Sequence, residues 1–129
     1  MANDTPAQDQ AKLSIMVFGV YAMLTGVVLI ISPNTLLGMF GMPPASEIWI
    51  RVAGLLALIV GYYYWACGRA GAVAFFRATI RGRLAFCVGG ATLVALAGAP
   101  VQLLMFGTAD LAGAAWTAWA LRSAASRTT

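Results

Sequence analysis

The sequence contains no histidine and only four acidic residues in 129. The missing imidazole removes the commonest ligand for zinc, copper and haem iron, and the commonest general base near neutral pH. No metal site, cofactor or catalytic residue is therefore expected, and nothing sets a nucleophile beside a base, so an enzyme is not expected either. Cysteine is scarce. Cys67 and Cys87 form no CxxC motif, and both are expected at cytoplasmic ends of their helices, where thiols stay reduced.

Charge of either sign is rare: 9% of residues, against 61% hydrophobic and a mean hydropathy of +0.85. Soluble domains carry roughly 25% charged residues. A chain this apolar lacks the polar groups to cover its own surface, so lipid is expected to cover it. The formal net charge of +4 does not point to nucleic acid. Seven of the eight basic residues fall at expected membrane boundaries, where orientation and anionic lipid account for them.

What is present is four long apolar stretches. Residues 1–12 read as a polar cytoplasmic tail, with two acids in MANDTPAQDQ and no basic segment of the kind that opens a cleavable signal peptide. Spans are expected at about 13–31, 46–67, 84–106 and 108–126. Ser46 is the expected cap of the second, flanked by Trp49 at its outer end and Tyr62–Trp65 at its inner end as paired aromatic belts. Between the first two spans, Ser32-Pro33 resembles an N-cap followed by a proline at the first helical position. Thr35–Phe40 is too short to cross, so a one- to two-turn helix in the outer interface is expected, ended by Gly41 and Pro43-Pro44.

Arg69, Arg77, Arg81 and Arg83 lie between the second and third spans and are candidate contacts for anionic lipid. Val73, Phe76 and Ile80 recur there at helical spacing, so the segment reads either as an amphipathic surface helix or as a plain stop-transfer loop. Pro100 is expected to kink the third span by deleting a helix hydrogen bond. Thr108 is the expected cap of the fourth span, in which Trp116 and Trp119 read as bilayer anchors or interface residues. With four crossings and both termini inside, Lys12, the four loop arginines, Arg122 and Arg127 are all cytoplasmic; three crossings would misplace the last two. Small residues repeat every four positions at Ala22 and Gly26, at Ala53, Ala57 and Gly61, and at Ala91, Ala95 and Ala99. Such stripes let helices approach closely in lipid. The expected fold is all-α: an integral membrane, antiparallel four-helix bundle with a short outer interfacial helix and a basic cytoplasmic loop.

Ionisable groups within a membrane are the functional candidates. Arg51 lies one turn below the outer end of the second span, with Glu47 at i−4 in reach of a salt bridge. Asp110 and Gln102 fall at similar depth. Glu47, Arg51, Gln102 and Asp110 thus form a candidate polar cluster, which either grips a lipid, isoprenoid or quinone head group or pins helix ends together by ion pairing. Tyr21, Thr25 and Thr92, the polar side chains at mid-depth, read as bonding back to the preceding helical turn.

The run Ser32-Pro33-Asn34-Thr35-Leu36-Leu37-Gly38-Met39-Phe40-Gly41, followed by Glu47-Ile48-Trp49-Ile50-Arg51-Val52-Ala53-Gly54, resembles the small bacterial four-helix membrane proteins of the DoxX-like and related uncharacterised-domain group. The resemblance covers roughly residues 13–121. It implies a four-helix bundle in the bacterial inner (plasma) membrane with a polar site at Glu47 and Arg51, and no settled activity. Redox-linked relatives of this fold use cysteine pairs, which this chain lacks. The sequence favours a non-enzymatic accessory or assembly subunit packed in a larger membrane complex, partnered by lipid and by other membrane subunits or its own copies. The alternative is a binding module for a lipid, isoprenoid or quinone head group.

Overall fold

A computed structural model describes residues 4–126. Arg127, expected on the cytoplasmic side, lies outside the described residues. Those residues fold into five helices: α1 (Pro6–Ile31), α2 (Pro33–Met39), α3 (Trp49–Ala70), α4 (Val73–Ala97) and α5 (Leu103–Ser126). Three of them, α1, α3 and α4, are long and apolar enough to cross a membrane.

Most boundaries differ from the sequence expectation, and each difference has a local cause. Helix α1 begins in the polar tail because Thr5 and Gln8 form a capping box: the Gln8 N–H bonds Thr5 Oγ1 at 3.3 Å and the Thr5 N–H bonds Gln8 Oε1 at 2.7 Å. The Lys12 ammonium, one residue before the expected span, pairs with the Asp4 carboxylate. Helix α2 forms with Pro33 in its first turn. Its N-cap, Ser32, makes no side-chain bond to the backbone; its hydroxyl meets that of Thr35 instead, at 2.6 Å. Ser46 does not cap α3, which starts at Trp49 with Ile48 at the cap position.

The basic loop shrinks to Gly71-Ala72. Gly71 takes the left-handed conformation (φ 67°), its N–H bonds Gly68 O, and the Ala72 N–H reaches back to Cys67 O at 3.1 Å. This is a Schellman closure, and glycine alone adopts that φ without strain. The arginine segment is therefore neither loop nor separate surface helix: Arg69 lies in the last turn of α3, and Arg77, Arg81 and Arg83 lie in the opening turns of α4. Pro100 does not kink a helix; it separates two. Gly98 (φ 71°) closes α4, and the residue before a proline is driven out of the α region, so α5 restarts at Leu103. The helix expected to begin at Thr108 is a turn longer, and Thr108 sits inside it, its hydroxyl bonding Leu104 O at 2.8 Å.

The long helices pack antiparallel in the spatial order α3, α1, α5, α4. Helices α1 and α3 touch backbone to backbone. A Cβ on Gly26 would lie 2.5 Å from Gly54 O, and one on Gly61 would lie 2.6 Å from Gly19 O. The contact row is thus Gly19 and Gly26 against Gly54, Gly61 and Gly68, at seven-residue rather than four-residue intervals. A repeat of seven suits a left-handed crossing near +20°. Of the expected stripes, Gly26 and Gly61 lie in this row, whereas Ala53 is exposed, as are Ala91 and Ala95. The buried core gathers near the start of α1, from Ala11, Ile15, Tyr64, Phe76 and Ala120, with Phe18, Phe75 and Leu121 against it.

Helices α3 and α4 converge only near their Gly71 turn, where Tyr64 meets Phe75 edge-on with centroids 5.3 Å apart. Among the described residues they do not pack along their lengths. The seam they leave open is the feature that positions the site.

Candidate ligand-binding site

The expected polar cluster does not assemble. Arg51 does not pair with Glu47; its Nη1 donates to the carbonyl of Ile30 and, at 3.5 Å, to that of Ile31. The last carbonyls of α1 lack helical partners, and a guanidinium satisfies them better than it would a solvated acid on its own helix. Glu47 stays exposed in the α2–α3 connection. Gln102 Nε2 donates to Gly41 O at 3.3 Å, tying that connection to the start of α5, and Asn34 Oδ1 holds the Ala45 N–H at 2.8 Å. Only Asp110 turns inward, and it faces α3 and α4 rather than Arg51.

Of the four arginines expected at lipid head groups, three are exposed: Arg69, stacked 4.9 Å from the Trp65 ring, Arg77 and Arg81. Arg83 is not. It is 2% exposed, an isolated guanidinium inside the protein. The reason is angular. At 100° per residue, Arg83 falls on the stripe of Phe76 and Thr79, both buried, whereas Arg77 and Arg81 share the opposite face.

Three helices build the surroundings of Arg83. From α1, Phe18 places its ring 4.2 Å from the guanidinium carbon; from α3, the Tyr64 ring lies 5.1 Å away. Both contacts are cation–π. From α5, Thr117 Oγ1 accepts from Arg83 Nη1 at 3.4 Å. Thr117 stands 2.8 Å from Ser14 Oγ, and Ser14 lies 2.8 Å from the Ala11 carbonyl. Thr117 Oγ1 also lies 3.0 Å from the Gly113 carbonyl, so Arg83 donates to Thr117 and the two hydroxyl protons are shared among the Ser14–Thr117 contact and the carbonyls of Ala11 and Gly113. Gly113 gives the guanidinium its room, since a Cβ there would lie 3.0 Å from Nη1.

Nε and Nη2 of Arg83 have no hydrogen-bond partner. Burying such donors unpaired costs about 1–3 kcal/mol each. Arg83 lines a cleft of about 320 Å³ in the α3–α4 seam together with Leu56, Val60, Tyr64, Phe86 and Asp110, although the two unpaired nitrogens are themselves covered. A second, almost wholly apolar groove of about 370 Å³ continues toward α2, lined by Leu29, Leu37, Phe40 and Leu103. The two share Ala22, Ala57, Phe86 and Asp110 as common walls. Thr25 and Thr92 bond back to Tyr21 O and Val88 O at 2.9 and 2.8 Å, so neither hydroxyl is spent on this cleft.

Neither thiol contributes a redox pair. Both cysteines are free, and Cys87 lies well inside α4, not at its end, its Sγ donating to Gly107 O at 2.8 Å. Among the described residues no three His, Cys, Asp or Glu side chains gather into a metal-binding group. The arrangement offers a buried cation with spare donors beside an apolar trough. It can bind an amphiphile; it offers no nucleophile and base in contact. No protein-family model, curated protein or solved structure matches this chain.

Replacing Thr117 by valine keeps the shape but removes the acceptor for Nη1 and the partner of Ser14. The expected loss is about 1–3 kcal/mol, read as a lower melting temperature of the purified protein.

Proposed function

We propose that this chain is an integral membrane protein, an antiparallel four-helix bundle that binds an amphiphile of the bilayer without transforming it. The observation that carries this reading is Arg83: buried, with two unspent donors, on the wall of a cleft that runs into an apolar groove. Arg83 lies two residues, about 3 Å along the axis, past the exposed Arg81, so it sits just inside the basic end of the bundle but is buried in the protein. A buried ionisable residue in a membrane bundle is expensive and is by default a functional candidate. The site moves from Glu47 and Arg51, where the resemblance to the DoxX-like group puts it, to the α3–α4 seam.

Membrane integration is supported by the apolar side chains left uncovered, among them Leu24 at 62% exposure and Leu96 at 83%. In water they would forfeit about 25 cal/mol for each Å² left unburied. In lipid they forfeit nothing. Lys12, Arg69, Arg77, Arg81 and Arg122 all lie toward one end of the bundle, which supports a cytoplasmic side for both termini.

An accessory role in a larger complex is the second reading, favoured by one observation. Gly82 and Gly89 on α4 have nothing within 4 Å of a Cβ built on them, and they repeat at the same seven-residue interval that seats α1 on α3. A partner helix would find its groove there. One experiment separates the two: purification from native membranes in mild detergent, with mass spectrometry of everything that co-elutes. A retained amphiphile, lost from the Arg83→Gln protein, supports the binding module. A stoichiometric foreign polypeptide with no retained lipid supports the accessory subunit and removes the first reading.

A further inference from the structure

The two free donors of Arg83 define the head group. Of the guanidinium's three nitrogens, Nη1 is committed to Thr117, while Nε and Nη2 are unpartnered. Those two nitrogens share one edge, and their N–H bonds project side by side. That edge matches two oxygens of a carboxylate or phosphate, the fork geometry that distinguishes arginine from lysine. A lone hydroxyl or carbonyl oxygen would have to accept both bonds on one atom, at poorer angles than two oxygens offer. No carboxylate of the chain takes the place: Asp110 lines the same cleft but makes no ion pair with Arg83, and among the described residues the salt bridge is that of Lys12 with Asp4.

The groove beyond defines the tail. Its lining is almost entirely apolar, it shares four walls with the Arg83 cleft, and at about 370 Å³ it lies at the low end of the roughly 300–1,000 Å³ typical of ligand pockets. That is room for one chain rather than two. Helix α2 closes its far end with Leu36, Leu37 and Phe40, and Phe40 is braced on Phe106 with centroids 5.0 Å apart.

Resting on the binding-module reading, we infer that the ligand is a single-chain amphiphile with an oxyanion head, a long-chain carboxylate or a lysophospholipid-type phosphate. Its two oxygens sit on Nε and Nη2 of Arg83 and its chain runs along the groove toward α2. Both donors are covered here, so seating the head requires a small displacement of the Phe18 or Tyr64 ring that packs on the guanidinium.

The test uses the full chain in nonionic detergent, stripped of lipid, with three probes of equal chain length: oleate, oleoyl lysophosphatidate and oleyl alcohol. Equilibrium binding of labelled probe is the readout. At least one oxyanion is expected to bind saturably and at least tenfold tighter than the alcohol; which of the two is tighter identifies the source as free carboxylate or lipid phosphate. Arg83→Lys keeps the charge and loses the fork, so it should erase that tenfold preference of oxyanion over alcohol. Ala53→Phe, at an exposed position on the groove wall, should weaken all three probes at least fivefold in a protein of native helicity. Equal binding of alcohol and oxyanions overturns the head-group assignment and leaves the binding module standing. An oxyanion preference that survives Arg83→Lys, or binding indifferent to Ala53→Phe, overturns the assigned site. Failure of every probe to bind removes both the inference and the reading beneath it.

Discussion

Gly26→Leu should leave no folded protein to purify. Gly26 faces Gly54 and Leu58 across the α1–α3 contact, and a Cβ at that position would stand 2.5 Å from Gly54 O and 2.6 Å from the Leu58 N. Both are backbone atoms, so no side-chain rotation relieves the clash. The helices must separate, and the whole row at Gly19, Gly54 and Gly61 separates with them. Overpacking a core typically costs about 1–3 kcal/mol when side chains can give way. Here they cannot, and the expected cost exceeds that range, more than a small domain's margin readily absorbs. Gly89→Ala is the matched control. It adds a methyl where nothing lies within 4 Å and replaces a residue unfavourable in a helix interior by about 0.5–1 kcal/mol. Its melting temperature should equal or exceed that of the parent. Thermal unfolding in detergent, followed by circular dichroism, checks both. A Gly26→Leu protein that melts within a few degrees of wild type would mean that α1 and α3 do not meet at these glycines.

The sequence made the apolar helices legible because their signal is additive: every residue of a span contributes, and a boundary error of a few positions does not change the sum. It hid features decided by one or two residues. The α3–α4 turn depends on Gly71 alone, in a segment whose arginines read as a loop. Pro100 was visible as a disruption, but whether proline kinks a helix or ends it depended on Gly98 two residues earlier. The α1–α3 contact was misread because small residues are abundant enough here to produce several periods at once. Glycine alone, at positions 19 and 26 against 54, 61 and 68, carries the period of seven.

Arg83 was legible in principle. Counting it with Arg69, Arg77 and Arg81 treats four arginines as one charged segment, yet its position matches the Phe76–Thr79 stripe at i+7 and i+4. A charge on the apolar stripe of an otherwise apolar helix is the sequence signature of a buried ion. Its partners were not legible. Ser14 and Thr117 are 103 residues apart and read as ordinary small polar residues inside spans. Arg51 shows the converse. Its acid at i−4 was plain in the sequence, but the competing carbonyls of Ile30 and Ile31 come from another helix and exist only once the fold has formed.

Removing the buried charge altogether should make the protein more stable, not less. Arg83 makes a single hydrogen bond, at 3.4 Å, and leaves Nε and Nη2 unpaired, so most of its desolvation is not recovered by contacts. The Phe18 and Tyr64 rings offset part of that, about 2 kcal/mol or more for a desolvated cation–π contact. Asp110, on the same cleft, is the buried acid that shares this region with Arg83, so each charge partly offsets the other through space. Arg83→Met alone therefore leaves a buried carboxylate unopposed, and Asp110→Leu alone leaves the guanidinium unopposed. Each single variant should melt below wild type. The double variant Arg83→Met/Asp110→Leu removes both and fills the space with side chains of similar length. Asp110 makes no ion pair with Arg83, so neither charge recovers its desolvation by direct contact; replacing both by well-packed apolar groups should leave the double variant melting at or above wild type, by up to about 1–4 kcal/mol. The coupling between the two positions, read from the four melting temperatures as a double-mutant cycle, should exceed about 1 kcal/mol. A double variant less stable than either single would make Arg83 a structural pin of the bundle. A more stable one that no longer holds an amphiphile would show stability given up for binding, the trade expected where a charge is kept buried for a ligand's sake.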